Sequence, residues 1–244
     1  QHDAHDWSIT GVEVLARWVH PTEGIMAPPR FLGIVRQMGM EAELDASVFA
    51  SAIEAVQELR AQGLAVPRAS FNVSAARIID PDFLPTLRAV PREERERISF
   101  EILESVSVEA LGETLRFAIE GIKDLGYRIE VDDFGSGHAS INSLLDIQPD
   151  ALKIDRNLIA PLGSSDRADT MVAATIELAR ATGVEVIAEG VDSSEKARIL
   201  AERGCDKLQG YHFSRPMPAD ALAEMLRAAQ EGDPGTGSER AGTG

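Results

Sequence analysis

Short β-rich runs alternate with longer helical patterns along nearly the whole of this 244-residue chain. Apolar residues recur at intervals of three to five in residues 43–62 and 169–182, which is typical of helices with one buried face. Such alternation predicts an α/β fold built on a mostly parallel sheet. Strands are predicted at residues 9–18, 69–74, 98–103, 128–132, 151–154, 185–188 and 207–213.

Seven predicted strands leave two architectures open. A (β/α)₈ TIM-like barrel needs an eighth strand, which would be truncated or missing at the start of the chain. An open doubly wound sheet fits the same alternation. Residues 231–244 are rich in glycine and small polar residues and predict a flexible C-terminal tail, which leaves residues 1–230 as one domain.

Polar side chains fall at or near the carboxyl end of almost every predicted strand. One charged residue at a strand end is usually part of a solvated rim, but seven strands that repeat the pattern make coincidence a poor explanation. In a parallel barrel these strand ends meet on one face, and that face holds the active site. The residues concerned are Glu13, Asn72, Glu101, Asp132, Asp133, Lys153, Glu189 and Gln209.

The chemistry of this set indicates a divalent metal site. Several carboxylates within a few ångströms would repel each other unless a cation lay among them, and Mg²⁺ or Mn²⁺ prefers such oxygen ligands. The adjacent pair Asp132 and Asp133 suits two ions, because one carboxylate can bridge both. Ions about 3.5–4 Å apart are the usual arrangement for cleaving a phosphodiester, and Lys153 would orient the attacking water.

Arg17 is a candidate contact for a substrate phosphate. Period-two alternation would place Glu13 and Arg17 on one face of the first predicted strand, so that both would line the barrel interior. The alternative is that Arg17 only forms a salt bridge with Glu13.

Charge and hydropathy exclude several other classes of protein. With 24 basic and 40 acidic residues, the formal net charge is −16, which argues against binding of long nucleic acid. No run of about 20 apolar residues is present, so no membrane span is predicted in this chain. The single cysteine excludes an internal disulfide and fits a cytoplasmic domain, which can still belong to a membrane-anchored longer protein.

Seven motifs follow one another along the chain: Glu13-Val-Leu-Ala-Arg-Trp, Phe71-Asn-Val-Ser-Ala, Glu101-Ile-Leu-Glu-Ser, Val131-Asp-Asp-Phe-Gly-Ser-Gly, Leu152-Lys-Ile-Asp, Ala188-Glu-Gly-Val-Asp and Leu208-Gln-Gly-Tyr-His-Phe-Ser-Arg-Pro. In this order they resemble the motif series of the EAL-domain family. The resemblance covers nearly the whole chain, and a series of this length is far more specific than a lone short pattern.

The resemblance implies a modified (β/α)₈ barrel that hydrolyses cyclic di-GMP to linear pGpG with two Mg²⁺ or Mn²⁺ ions. It implies bacterial second-messenger signalling, a homodimer, and fusion to sensory or GGDEF-type domains in a longer protein. The family's opening strand is missing or reduced to Gln1 in this chain. A catalytically weak or silent module that binds cyclic di-GMP as a sensor is the alternative, and a protein-interaction module without nucleotide is a third.

The resemblance also assigns roles to single residues. Lys153 matches the lysine beside the attacking water, and Gln209 matches a polar residue of the catalytic pocket that also faces substrate. Arg17 and Asp155 match substrate contacts. Asp132, Asp133 and Glu189 count as catalytic as well as metal-binding. The metal ligands implied are Glu13, Asn72, Glu101, Asp132, Asp133 and Glu189, and the loop-anchoring residues are Glu104 and Asp192.

Two departures from the family pattern fall near the site. The signature tripeptide is Glu-Val-Leu, whose middle residue should point away from the metal by strand alternation, so we expect little effect. Asp192 stands where the family usually has a glutamate. Its carboxylate reaches one methylene less, which affects the predicted anchoring of the loop after Asp133.

Overall fold

The computed structural model describes residues 1–64, 66–103, 108–136, 144 and 146–231, with the backbone alone in 108–111. Eight strands of the described residues form one sheet, in the order β1-β10-β9-β8-β7-β6-β5-β2. The strands of this sheet are β1 His2–Asp3, β2 Val12–Val14, β5 Ala69–Asn72, β6 Ile98–Leu103, β7 Arg128–Phe134, β8 Ala151–Ile154, β9 Glu185–Ala188 and β10 Lys207–Leu208.

Neighbouring strands from β2 to β10 are parallel, and β1 alone runs antiparallel, beside β10. The other edge of the sheet is joined to β1 by a bridge between His2 and Ile9. The backbone of Gln1 also exchanges hydrogen bonds with Thr10 and Gly11, just before β2. The sheet is therefore closed into a barrel, which decides against the open sheet. The opening strand is present in a reduced form of two residues.

Helices follow most strands and cover the outside of the barrel. They are α1 Leu32–Met38, α2 Glu41–Ala61, α3 Ala75–Ile78, α4 Phe83–Ala89, α5 Arg92–Arg95, α6 Val108–Asp124, α7 Arg156–Ile159, α8 Asp166–Thr182, α9 Ser194–Glu202 and α10 Ala219–Gln230.

The strand β6 shows why polar groups lie inside this barrel and apolar groups outside. Phe100 packs outward against Phe83 of α4 and Phe49 of α2, with ring centroids 5.4 and 5.8 Å apart. Because successive side chains point to opposite faces of a strand, Ser99 and Glu101 point inward. Both are fully buried all the same.

Three predicted strands are shorter than expected, and one of them, the run 69–74, ends two residues early at Asn72. The run 9–18 contributes only Val12–Val14, and Trp18–His20 (β3) pairs with Gly24–Met26 (β4) in a separate hairpin. The run 207–213 contributes only Lys207–Leu208, because the chain then turns and the His212 amide donates to the Val191 carbonyl.

No helix within the described part of the chain is long and apolar enough to cross a membrane.

Candidate active site

The carboxyl ends of the parallel strands bring the predicted site residues together around Lys153. Its side chain is completely buried, and its ammonium faces four carboxylates at 2.7–3.6 Å. The distances from Lys153 Nζ are 2.7 Å to Glu189 Oε1, 2.9 Å to Glu101 Oε2, 3.4 Å to Asp132 Oδ1 and 3.6 Å to Glu13 Oε2.

Glu13 accepts hydrogen bonds from two side-chain amides that lie far apart in the sequence. The amide nitrogen of Asn72 donates to Glu13 Oε1 at 3.2 Å, and that of Gln209 donates to Glu13 Oε2. Strand register explains the first contact, because Val14 pairs with Phe71. Closure of the barrel explains the second.

The end of β7 is distorted where it carries two adjacent carboxylates. The pairing with β8 shifts register between Val131 and Phe134, and Asp133 has a φ of 57°. A non-glycine residue with positive φ is uncommon, and strain of this kind concentrates at functional sites. The Asp133 amide donates to Asp132 Oδ1 at 2.9 Å, and one oxygen of each carboxylate lies within 4.8 Å of the other.

Burial and crowding change the proton affinities of the site. Burial raises the pKa of Glu189 to about 7, and it raises the pKa of Glu101 well above its usual range. Burial, together with the charges of Asp132 and Asp155, raises the pKa of Asp133 to about 6. Lys153 keeps its proton, because the surrounding carboxylates outweigh burial and raise its pKa well above the usual range.

These values predict how stability without metal depends on pH. A carboxyl whose pKa is raised in the folded state lowers the stability of the protein when it ionises. This loss is absent at a pH below the unfolded-state pKa and complete at a pH above the folded-state pKa. The window runs from 4.5 to about 7 for Glu189 and from 3.8 to about 6 for Asp133. We expect the melting temperature in EDTA to fall as the pH rises from about 4 to about 7.

Thermal melts at a series of pH values, with and without Mn²⁺, check this expectation. Stabilisation by Mn²⁺ should increase over the same range, because ligand carboxylates must lose their protons to bind a metal. A melting temperature in EDTA that rises with pH would contradict the assignment.

The donor set fits a divalent cation. One oxygen each of Asp132, Asp133 and Glu189 lies within 4.8 Å of the others, and these three groups could hold a metal ion. Four carboxylates face the Lys153 ammonium and Asp133 lies beside them, so negative charge is in excess when these groups are ionised. Such an excess of carboxylates is stable when divalent cations lie among them.

Two predicted residues, Arg17 and Asp192, lie outside this cluster. Arg17 is exposed beyond the end of β2 and donates to the Ala16 carbonyl, and it forms no ion pair with Glu13 in the structure described. Asp192 is half-exposed and pairs with Lys196 at 3.0 Å. Glu104, the other predicted loop anchor, lies outside the described residues, as does part of the loop after Asp133.

Asp155 lies beside the cluster, not at its centre. It is buried, it caps α7 by accepting from the Asn157 amide at 2.9 Å, and it neighbours Asp133. Its predicted contact with substrate stays a prediction.

Sequence reasoning missed a second buried carboxylate below the site. Glu130 is buried opposite Glu101 in the strand register, and the Ser70 hydroxyl lies 3.3 Å from both of its carboxylate oxygens. The signal was available, since Glu130 precedes Asp132 by two residues and so shares its face.

A cavity of about 190 Å³ adjoins the cluster where β10 meets the start of the chain. Its wall includes Glu13 and Gln209, together with Gln1, whose side-chain amide is buried without a hydrogen-bond partner among the described residues. The Gln209 Oε1 atom is likewise buried and unpartnered within the structure described. The cavity therefore offers polar groups next to the carboxylates.

Comparisons with known proteins agree with this geometry. The family model described as EAL domain matches residues 1–216. An uncharacterised protein of Mycobacterium tuberculosis is 34% identical over 93% of this chain and 37% of its own length. The cyclic di-GMP phosphodiesterase NbdA of Pseudomonas aeruginosa is 32% identical over 91% of this chain and 29% of its own.

A solved structure, described as PaMucR phosphodiesterase in a c-di-GMP complex, superposes with a TM-score of 0.82. It is 28% identical, and the match covers 91% of this chain and 90% of that one. The chain spans about a third of the length of the curated relatives named above. The chain belongs to the EAL domain family.

Proposed function

We propose that this domain hydrolyses cyclic di-GMP to linear pGpG with two Mg²⁺ or Mn²⁺ ions. The observation that carries the proposal is the cluster itself: four carboxylates within 3.6 Å of a buried lysine, at the carboxyl ends of barrel strands. The relative named as a cyclic di-GMP phosphodiesterase supports the choice of substrate.

Two ligand sets share one carboxylate in this proposal. When bound, the ions would act as Lewis acids that activate water and take up negative charge from the phosphate. Glu13, Asn72, Glu101 and Asp132 would hold the first ion. Asp132, Asp133 and Glu189 would hold the second, and these three are the groups with oxygens within 4.8 Å of one another.

The remaining residues bind the substrate and orient the attacking water. In-line attack of water on one phosphate forms a new P–O bond and breaks the bond to the 3′ oxygen, which takes up a proton. Lys153 keeps its own proton and so orients the water and neutralises developing charge instead of acting as a base. Gln209 lies at the edge of the cavity beside Glu13. Arg17 is exposed beyond the end of β2 and would contact a substrate phosphate from there.

The test is incubation of the purified domain with cyclic di-GMP and Mg²⁺ or Mn²⁺, with an EDTA control. The expected product is linear pGpG, formed only with metal. Intact substrate that stays bound would show the alternative, a cyclic di-GMP sensor. Absence of both binding and hydrolysis would favour a protein-interaction module.

Further expectations extend the proposal beyond the site. We propose that the domain continues to residue 230, because α10 packs against α2 through Leu226, Ala223 and Leu59. The tail 231–244, of which residues 232–244 lie outside the described part, stays a prediction. Homodimerisation, fusion to sensory or GGDEF-type domains, and a cytoplasmic location also stay predictions.

A further inference from the structure

The turn between β1 and β2 has a backbone conformation that is unusual for its residue. Trp7 has a φ of 60°, in the left-handed region that glycine adopts readily and bulky side chains rarely occupy. Such strain persists only where surrounding contacts hold it, and it concentrates at functional sites. The proposed catalytic steps do not use Trp7.

The ring contacts of Trp7 come from one loop, residues 209–213, which follows β10, and its backbone is held by β1. The indole packs edge-on against the rings of His212 and Phe213, with centroids 5.5 and 5.8 Å apart. The Trp7 carbonyl accepts a hydrogen bond from His2 Nδ1 at 2.8 Å, and the His2 ring stacks on Phe213 at 4.5 Å. The turn and the loop thus share one aromatic cluster.

The same loop carries Gln209, whose amide donates to Glu13. Its backbone is tied to Val191, because the Val191 amide donates to the Gln209 carbonyl and the His212 amide donates to the Val191 carbonyl, both at 3.0 Å. Gly210 lies directly against that backbone, since a Cβ at Gly210 would lie 2.1 Å from the Val191 oxygen. His212 and Gln209 are therefore connected through the Val191 backbone, so a change in the position of His212 would also move Gln209.

We propose that Trp7 is a positioning residue, which fixes the loop 209–213 so that the Gln209 side chain faces the cavity beside Glu13. The strained φ places the indole edge-on against His212 and Phe213, and these ring contacts hold the indole in that position. The prediction about substrate affinity rests on the proposed phosphodiesterase function, whereas the prediction about loop order does not.

The variant W7G separates the effect of the Trp7 ring from the effect of the backbone conformation at residue 7. Glycine adopts a φ of 60° without strain, so this variant removes the aromatic contacts and leaves the turn conformation favourable. W7F keeps one edge-on ring and serves as the conservative variant. H5A removes an exposed side chain from the same turn and serves as the control.

Amide hydrogen exchange of the metal-free protein tests the positioning role without any activity. We expect W7G to speed exchange at His212 and Phe213 about tenfold, because edge-to-face ring contacts of this kind hold the loop. Exchange in β8 should not change, W7F should lie closer to wild type, and H5A should match it. Equal exchange in W7G and wild type would overturn the inference, and so would faster exchange in β8 as well, which indicates general destabilisation.

Kinetics with cyclic di-GMP then test the consequence for substrate. We expect W7G to raise KM about tenfold with kcat within about twofold, and to leave the Kd for Mn²⁺ unchanged, because the carboxylate cluster stays in place. A fall in kcat with unchanged KM would overturn the substrate role. If wild type showed no hydrolysis, the proposed function would fail, while the exchange data would still decide the role of Trp7.

Discussion

Lys153→Met is expected to destabilise the metal-free protein by about 3–5 kcal/mol, the usual cost of removing one partner from a buried ion pair. The substitution leaves Glu13, Glu101, Asp132 and Glu189 with no cation among them, in a site where the Lys153 side chain is completely buried. Methionine fills a similar volume, so the loss reflects charge and not a cavity.

Metal should restore much of that stability, because a divalent ion neutralises the same carboxylates. Hydrolysis should nevertheless fall by about 10²–10³-fold even with saturating Mn²⁺, since a donor aimed at developing charge is lost. Melting temperatures in EDTA and in Mn²⁺, together with kcat, check both parts. Lys123→Met is the control, because Lys123 lies outside the site, where its ammonium donates to the Gln148 carbonyl. Equal loss of stability in the two variants would contradict the central role of Lys153.

Asp132→Asn is expected to have the opposite effect on metal-free stability while abolishing activity. The amide keeps an oxygen that can accept from the Asp133 amide, as Asp132 Oδ1 does at 2.9 Å. The substitution removes one negative charge from a cluster in which carboxylates are in excess. The melting temperature in EDTA should therefore stay equal or rise.

Hydrolysis by Asp132→Asn should fall by at least about 10³-fold, because Asp132 is the carboxylate that both proposed ligand sets share. Calorimetric titration with Mn²⁺ should show weaker binding, which a purely structural role for Asp132 would not produce. Asp124→Asn, at the exposed end of α6, is the matched control. Near-normal Mn²⁺ affinity in Asp132→Asn would remove Asp132 from both ligand sets.

The inward face of the barrel could be predicted from the sequence because alternation along a strand and the polarity of strand ends are local properties. Glu101 and Asp132 were placed by position in their strands, and both line the site. Alternation places Glu130 on the same face as Asp132, but Glu130 was missed because it lies inside its strand and not at the carboxyl end. Its contact with the Ser70 hydroxyl joins residues 60 positions apart in the chain.

Other features concern where an element starts or ends, which alternation and periodicity do not report. Strand alternation predicts that Arg17 lines the barrel interior. In the structure β2 ends at Val14, and Arg17 is exposed beyond it and does not line the interior. The helix predicted from residue 169 begins at Asp166, because the Ser165 hydroxyl accepts from the Ala168 amide and caps it. Periodicity reports the buried face of a helix and not where a cap starts it.

β1 forms the seam of the barrel, where the two edges of the parallel sheet meet. Two residue pairs join it to β10, and on the other side a bridge from His2 to Ile9 and backbone hydrogen bonds of Gln1 connect it to the residues before β2. The cavity beside Glu13 and Gln209 lies along this seam. A ligand bound there would contact residues from both sides of the seam, so we expect binding to stabilise the closed barrel and to raise its melting temperature.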